Sequence, residues 1–199
     1  MFIVGLDLAG VENRPTGLCI LNRMKAETCL VYSDEAILKC IEETKPKLVA
    51  IDAPLSLPSG RRSIEERTDV HLRECDKELL TRGIKFFPVT LGPMRKLASR
   101  GITLKRALEK RHFRVIEVYP GGAQDILGIP RKQRGLEKLR EGLEKLGVRG
   151  LNEQMSDHEL DAVTCAVVGK LMIEGKTLAY GTREQTIIMP KNRLRESCL

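Results

Sequence analysis

The chain has no tryptophan, and aromatic residues make up only 4% of its 199 positions. Few flat side chains leave few platforms for stacked bases, so contact with a nucleic acid is expected to rest on backbone charge. No apolar run approaches the eighteen or so residues of a membrane-spanning helix. The best one, around Ala162 to Ile173, is broken by Lys170, so no membrane association is expected. The apolar N-terminus lacks a basic stretch and a small-residue cleavage site and carries Asp7; a cytoplasmic location follows as the default. No CxxC pair occurs among Cys19, Cys29, Cys40, Cys75, Cys165 and Cys198. That spacing favours buried thiols over zinc or a disulfide framework, although Cys19 and Cys29 could face each other across a hairpin. Repeats and low-complexity segments are absent too.

What is present is ordinary in bulk and uneven in detail. A content of 42% hydrophobic and 31% charged residues fits a globular chain with a sizeable core, read as one domain over residues 1–199. The net charge is +7, and residues 53–113 hold 14 Lys and Arg against 7 Asp and Glu, so that segment alone accounts for it. A basic surface concentrated in one insertion points to a polyanionic partner, nucleic acid or another phosphate-bearing molecule. A solvated surface rich in Lys, Arg and Glu is the plain alternative.

The first ten residues, MFIVGLDLAG, run apolar into Asp7, the pattern of a buried strand with a carboxylate at its tip. LVAIDAPLS repeats the design, with Asp52 closing an apolar run just before Pro54. Between them, Thr16–Asn22 and Glu27–Ser33 read as a hairpin, and Asp34 begins a helix that runs to about Thr44. The opening fifty residues therefore read β-β-β-α-β. The insertion, residues 53–113, reads mainly helical, with one helix over SIEERTDVHLRECDKELLTRG and another over LKRALEKR. Arg114–Gly122 reads as a fifth strand carrying Glu117, Arg131–Gly147 as an amphipathic helix, and QTIIMPK as an edge strand stopped by Pro190.

A third acidic cluster opens a helix at SDHELDAVTCAVVGKLM. Ser156 and Glu159 make a capping box. Asp157 and Asp161, four apart, share a face, and His158 lies within a turn of Asp161. Asp161 falls among Leu160, Val163, Ala166 and Val167, a costly place for a carboxylate without a cation. Phosphodiester hydrolysis with Mg²⁺ or Mn²⁺ needs oxygen ligands from several segments. Asp7, Asp52 and Asp161 are the expected catalytic and metal-binding set, with Asp157 and His158 as flanking ligands and Glu117 secondary. Arg61, Arg62, Arg73 and Arg82 are the expected phosphate contacts.

Taken in order, GLDLAG followed by TG, AIDAPLS, RECDKELLTRGI, IEVYPGG, DHELDAVTCA and GTREQTIIMP resemble domain of unknown function family 429 along nearly the whole chain. That resemblance implies a ribonuclease H-like α/β fold: a mixed five-stranded sheet flanked by helices, with the helical insertion after the fourth strand. It also implies a predicted nuclease. HELD, from His158 to Asp161, is similar to the helix motif of Holliday-junction resolvases. By that analogy Asp7 is the first-strand carboxylate, Asp52 the fourth-strand acid and Asp161 the closing aspartate, with His158 or Asp157 in the flanking place. Arg73, with Cys75 and Asp76, falls within the family's pattern and becomes the foremost candidate for a phosphate or transition-state contact. Pairing with Asp69 or Asp76 on its own helix is the alternative. Ribonuclease H proper carries a glutamate on its first helix, whereas Glu42 and Glu43 stand at the far end here. Actin-like ATPases and sugar kinases share the fold family, but they need a second nucleotide-binding domain. Another metal-dependent phosphate enzyme, or a binding protein with a degenerate site, remain the competing readings.

Overall fold

In the computed structural model, which describes residues 1–191, strand β1 (Phe2–Asp7) lies at the centre of the sheet. Strands β2 (Thr16–Asn22) and β3 (Lys25–Val31) continue antiparallel from it, joined by a tight turn in which Arg23 takes φ 58°. Helix α1 (Asp34–Thr44) begins at Ser33, whose hydroxyl accepts the Ala36 N–H and satisfies one of the orphan donors of the first turn. Strand β4 (Leu48–Asp52) then pairs parallel with β1, and β5 (Val115–Glu117) pairs parallel with β4. The order is β3-β2-β1-β4-β5, a mixed five-stranded sheet. Its parallel centre is covered on both faces, which is why β1 and β4 read as near-continuous apolar runs.

Side chains alternate across a strand, and here the alternation sorts two cores. Val4, Leu6, Val49 and Ile51 face α1 and α3 (Gly92–Lys110), packing on Ile37, Ile41, Leu104 and Leu108. Ile3, Leu48 and Ala50 face the opposite layer of α4 (Pro120–Leu127), α5 (Leu136–Lys145) and α6 (Asp157–Ile173). The same period of two sends Gly5, Asp7 and Asp52 toward α6. Burying each of these large aliphatic side chains contributes about 1.5–3 kcal/mol, so slipping the register by one residue would be prohibitive.

Helix α6 is apolar almost all round and fully buried along most of its length, as expected for a helix inside the layers. It lies directly on backbone. A methyl group at Gly5 would sit 2.1 Å from the Ala162 carbonyl oxygen, and one at Gly17 would sit 2.0 Å from that of His158. Glycine is required at both positions because only hydrogen leaves room for the helix.

The insertion is less helical than its sequence pattern suggests. Only Glu74–Thr81 (α2) and α3 are helices, while residues 61–73 are irregular. The cause is Arg61, buried with its guanidinium donating to the carbonyls of Ile64, Glu66, Thr68 and Val70. Those carbonyls are thereby drawn onto a side chain instead of into helical bonds. Three further departures are local. YPGG ends β5 but also starts α4, with Pro120 in the first turn where its missing N–H costs nothing. The amphipathic helix begins at Leu136, because Gly135 takes φ 114° and residues 132–134 form a separate 3₁₀ turn. Cys19 pairs with Thr28 across the hairpin and Cys29 with Leu18, so the two thiols point to opposite faces. They are free, as are Cys40, Cys75 and Cys165; Cys198 lies outside the described residues.

Strands β6 (Thr177–Thr182) and β7 (Gln185–Pro190) form their own antiparallel hairpin, not an edge of the main sheet. Tyr180, Ile187 and Met189 of that hairpin pack on Cys75 and Leu79 of α2, tying the insertion to the body. Among the described residues no helix is long and apolar enough to cross a membrane.

Candidate active site

Asp7 and Asp52 are register partners at the tips of the two central parallel strands. The period-two argument above places both on the α6 face, and the close seating of α6 on Gly5 and Gly17 brings its first two turns over them. His158 Nδ1 lies 2.7 Å from Asp7 Oδ2. Asp161 stands one turn further in, buried, accepting a hydrogen bond from Gln124 Nε2 at 2.8 Å. The capping box is formed, with the Ser156 hydroxyl accepting the Glu159 N–H and the Glu159 carboxylate accepting the Ser156 N–H. Glu159 also accepts from Thr28 Oγ1, which fixes the rotation of α6 relative to the hairpin.

Two residues of this site carry no signal in the sequence. Lys132, on the 3₁₀ turn, places its Nζ 2.9 Å from Asp161 Oδ2 and 2.9 Å from Asp157 Oδ2. Gln124 on α4 orients Asp161 from the other side. Neither belongs to a motif or shows a periodicity, so only the fold reveals them.

The electrostatics follow from this crowding. Burial, then the Asp7 and Asp161 carboxylates, push the Asp52 carboxyl well above the usual carboxylate range, and Lys132 offsets only part of it. Asp161 is raised by burial, against the opposing pull of Lys132. Asp157 is also raised by burial, but its hydrogen bond and ion pair with Lys132 outweigh that, and its net shift is downward. The hydrogen bond to Asp7 raises His158 despite partial burial. Among the described residues no donor hydrogen-bonds the Asp52 carboxylate.

The expected secondary ligand Glu117 and the expected phosphate contact Arg73 have found each other. Arg73 NH1 and NH2 donate to Glu117 at 2.7 and 2.8 Å, and Nε and NH2 donate to Asp76 at 3.1 and 2.9 Å. Arg73 is only 3% exposed. The Arg73 guanidinium is thus committed to two carboxylates in the interior, although Arg73, Asp76 and Glu117 also line the cleft beside Asp52. Of the two alternatives on its own helix, Asp76 is the partner. Glu117 also accepts the Leu55 N–H at 2.7 Å, bracing the turn after Asp52, and its charge adds to the repulsion on the Asp52 carboxylate. Arg61 is likewise consumed by backbone carbonyls. Arg82 is exposed but paired with Glu78 at 2.8 Å and stacked on the Tyr180 ring. Arg62 is exposed on the loop, where its backbone N–H donates to Glu66.

Beside Asp52 and Asp161 opens a cleft of about 320 Å³. One wall comes from the insertion, through Phe86, Phe87, Met94 and Leu97, and the other from Tyr119, Arg131 and Lys132.

The donor set fits a hard divalent cation in its chemistry: carboxylate oxygens from three segments, in mutual repulsion, with Asp52 lacking any donor. As the side chains stand, no group of three or more His, Cys, Asp or Glu residues among those described is arranged to hold a metal ion. Lys132 supplies the positive charge between Asp157 and Asp161 in this structure.

The sheet order and the carboxylates at adjacent strand tips define an α/β protein of the ribonuclease H-like fold. Solved structures that share it include two of RuvC. RuvC of Thermus thermophilus in complex with a Holliday junction substrate matches at TM-score 0.53 and 16% identity, covering 88% of this chain and 97% of that one. A second Thermus thermophilus RuvC structure matches at TM-score 0.50 and 14% identity, with the same coverage of both chains. The family model described as "Protein of unknown function (DUF429)" matches residues 5–185. The chain belongs to that family. No curated protein matches it.

Proposed function

We propose that the protein is a divalent-metal-dependent nuclease that hydrolyses phosphodiester bonds at Asp7, Asp52 and Asp161. The observation that carries this reading is the pairing of Asp7 with Asp52 on adjacent parallel strands, with Asp161 facing them from α6. The likeness in fold to RuvC, in one case bound to a Holliday junction substrate, supports nucleic acid as the substrate class.

Asp7, Asp52 and Asp161 would hold Mg²⁺ or Mn²⁺, with Asp157 at the edge of the set. When bound, such an ion supplies a Lewis acid for the phosphoryl oxygen and lowers the pKa of a coordinated water. The protein's own residues do the rest. Gln124 and Lys132 fix the rotamer of Asp161. His158 fixes Asp7 through Nδ1, which leaves Nε2 as the ring nitrogen placed to hold or pass a proton. Glu117, held by Arg73, braces the Leu55 N–H and with it the turn that follows Asp52. The exposed cations Arg62 and Arg82 remain as backbone-phosphate contacts, whereas Arg61 and Arg73 serve the fold.

Incubation with labelled single-stranded, duplex and branched DNA and RNA in Mg²⁺ or Mn²⁺ tests the reading. Cleavage of at least one substrate, abolished by EDTA and by Asp52→Asn, is the expected result. No cleavage of any substrate at millimolar Mn²⁺ would remove the proposal.

A further inference from the structure

The seven aromatic residues of the chain are not spread evenly. Three of them, Phe86, Phe87 and Tyr119, line the one cleft that also contains Asp52 and Asp161. Phe87 is 68% exposed there, an unusual position for a phenylalanine unless something covers it. Tyr119 is held in place through its hydroxyl, which donates to the Lys85 carbonyl at 2.8 Å, so two sides of the cleft are tied to each other. The far end is polar and charged, with Lys132 above the carboxylates and Arg131 against the Tyr119 ring at 5.8 Å from its centroid. The volume, about 320 Å³, sits at the low end of the roughly 300–1,000 Å³ typical of small-molecule sites.

Resting on the nuclease reading, we infer that this cleft receives one unpaired nucleotide, its base between the Phe86–Phe87 side and Tyr119 and its phosphate toward the Asp52 end. Shape and charge both point that way. The lining there is apolar and aromatic, with Phe86 and Phe87 on one side and Tyr119 on the other, which suits the π-face of a base. The carboxylate end suits a phosphate whose charge would be met by Lys132 and by the divalent cation those carboxylates would hold. A paired base keeps its faces in the duplex stack and reaches such a lining only if extruded at a cost of a few kcal/mol. The site therefore favours single-stranded or splayed nucleic acid, or a free nucleotide, over intact duplex. Stacking here would add to the backbone-charge contact expected from the low aromatic content: few aromatics are present, but three of the seven line this cleft.

The test uses a short single strand carrying one 2-aminopurine, whose fluorescence is quenched on stacking, titrated with the full chain in Ca²⁺ and, separately, in EDTA so that binding is read without turnover. Quenching is expected with the single strand, at least tenfold weaker binding once the strand is annealed to its complement, and about 5- to 100-fold weaker single-strand binding in Phe87→Ala, from base–aromatic stacking of ~1–3 kcal/mol. Phe87 is exposed, so this variant should keep its fold, and circular dichroism checks that. A nucleoside monophosphate that competes as well as the strand identifies the free nucleotide as the source; one that competes only weakly identifies the strand. Equal affinity for duplex and single strand, unchanged affinity in Phe87→Ala, or equal competition by ribose phosphate lacking a base would each overturn the inference. Quenching without any metal-dependent cleavage would sink the nuclease reading and leave this one standing. Cleavage of duplex at a rate unaffected by Phe87→Ala would do the reverse.

Discussion

The ammonium of Lys132 bridges Asp157 and Asp161, 2.9 Å from an oxygen of each, across 25 and 29 residues of chain. It is the cation nearest the carboxylate cluster, and burial of Asp161 makes the contact matter more than a surface pair would. Lys132 itself is about one-third exposed on its side chain, so its contribution is screened.

Lys132→Met should therefore destabilise the metal-free protein by about 1–2 kcal/mol, since it leaves Asp161 buried with only Gln124 as partner. The same change removes a competitor for the carboxylates. Thermal unfolding with and without millimolar Mn²⁺ should show a lower midpoint without metal and a larger metal-induced rise than in the wild type. An equal or smaller rise would mean that Lys132 and a metal do not share the site.

Asp52 is predicted to cost the metal-free fold stability. Its folded pKa is raised, by burial first and then by Asp7 and Asp161, so the folded state binds the Asp52 proton more tightly than the unfolded chain. Stability is accordingly lost as pH rises from the unfolded value of 3.8 through the raised one. Asp52→Asn should raise the unfolding free energy at neutral pH by about 1–2 kcal/mol, an advantage that fades in acid, while abolishing cleavage. Urea titrations at neutral and acidic pH measure it. A destabilised Asp52→Asn at neutral pH contradicts the electrostatic picture.

The Arg73–Asp76–Glu117 network makes a contrasting forecast. Arg73→Ala leaves two buried carboxylates facing each other and should cost about 3–5 kcal/mol. Under conditions where the variant is folded, the salt dependence of nucleic-acid binding should match the wild type, because no phosphate contact has been removed. Arg62→Ala, at an exposed position, should flatten that dependence without a stability cost. If Arg73→Ala were stable and Arg62→Ala left the salt slope unchanged, the assignment of fold and surface roles would be reversed.

His158 adds a pH signature of the same sign as that of Asp52, since both folded pKa values are raised, but its replacement should cost stability where that of Asp52 gains it. Its pKa is raised above 6.5, chiefly by the hydrogen bond to Asp7. The stabilisation is complete below 6.5 and is lost as pH rises through the folded value. His158→Gln should cost about 0.5–1 kcal/mol below pH ~6, discounted for a side chain more than a third exposed, and close to nothing at pH ~9. Paired denaturation curves at the two pH values decide it. A cost that grows with pH would show that the neutral ring is the stabilised form.

Much of the site could be read along the chain because it rests on local periodicity. Alternation along β1 and β4 dictates that Asp7 and Asp52 share a face with Gly5 and Ala50, and an apolar run closed by aspartate announces each strand tip. The 3.6-residue turn sets Asp157 and Asp161 on one side of α6, and the capping box marks its start. The β-β-β-α-β order follows from the same kind of signal. The partners of those carboxylates had no such signature. Lys132, Gln124, the Arg73–Glu117 pair and the Phe86, Phe87 and Tyr119 lining of the cleft are each brought together by crossovers between segments, and an ion pair or hydrogen bond 25 or more residues apart leaves no period in the sequence. Arg61 and Arg73 show the physical reason most directly. A cluster of arginines reads as a surface for phosphate, but a guanidinium has five donors, and the fold supplied carbonyls and carboxylates that met them first.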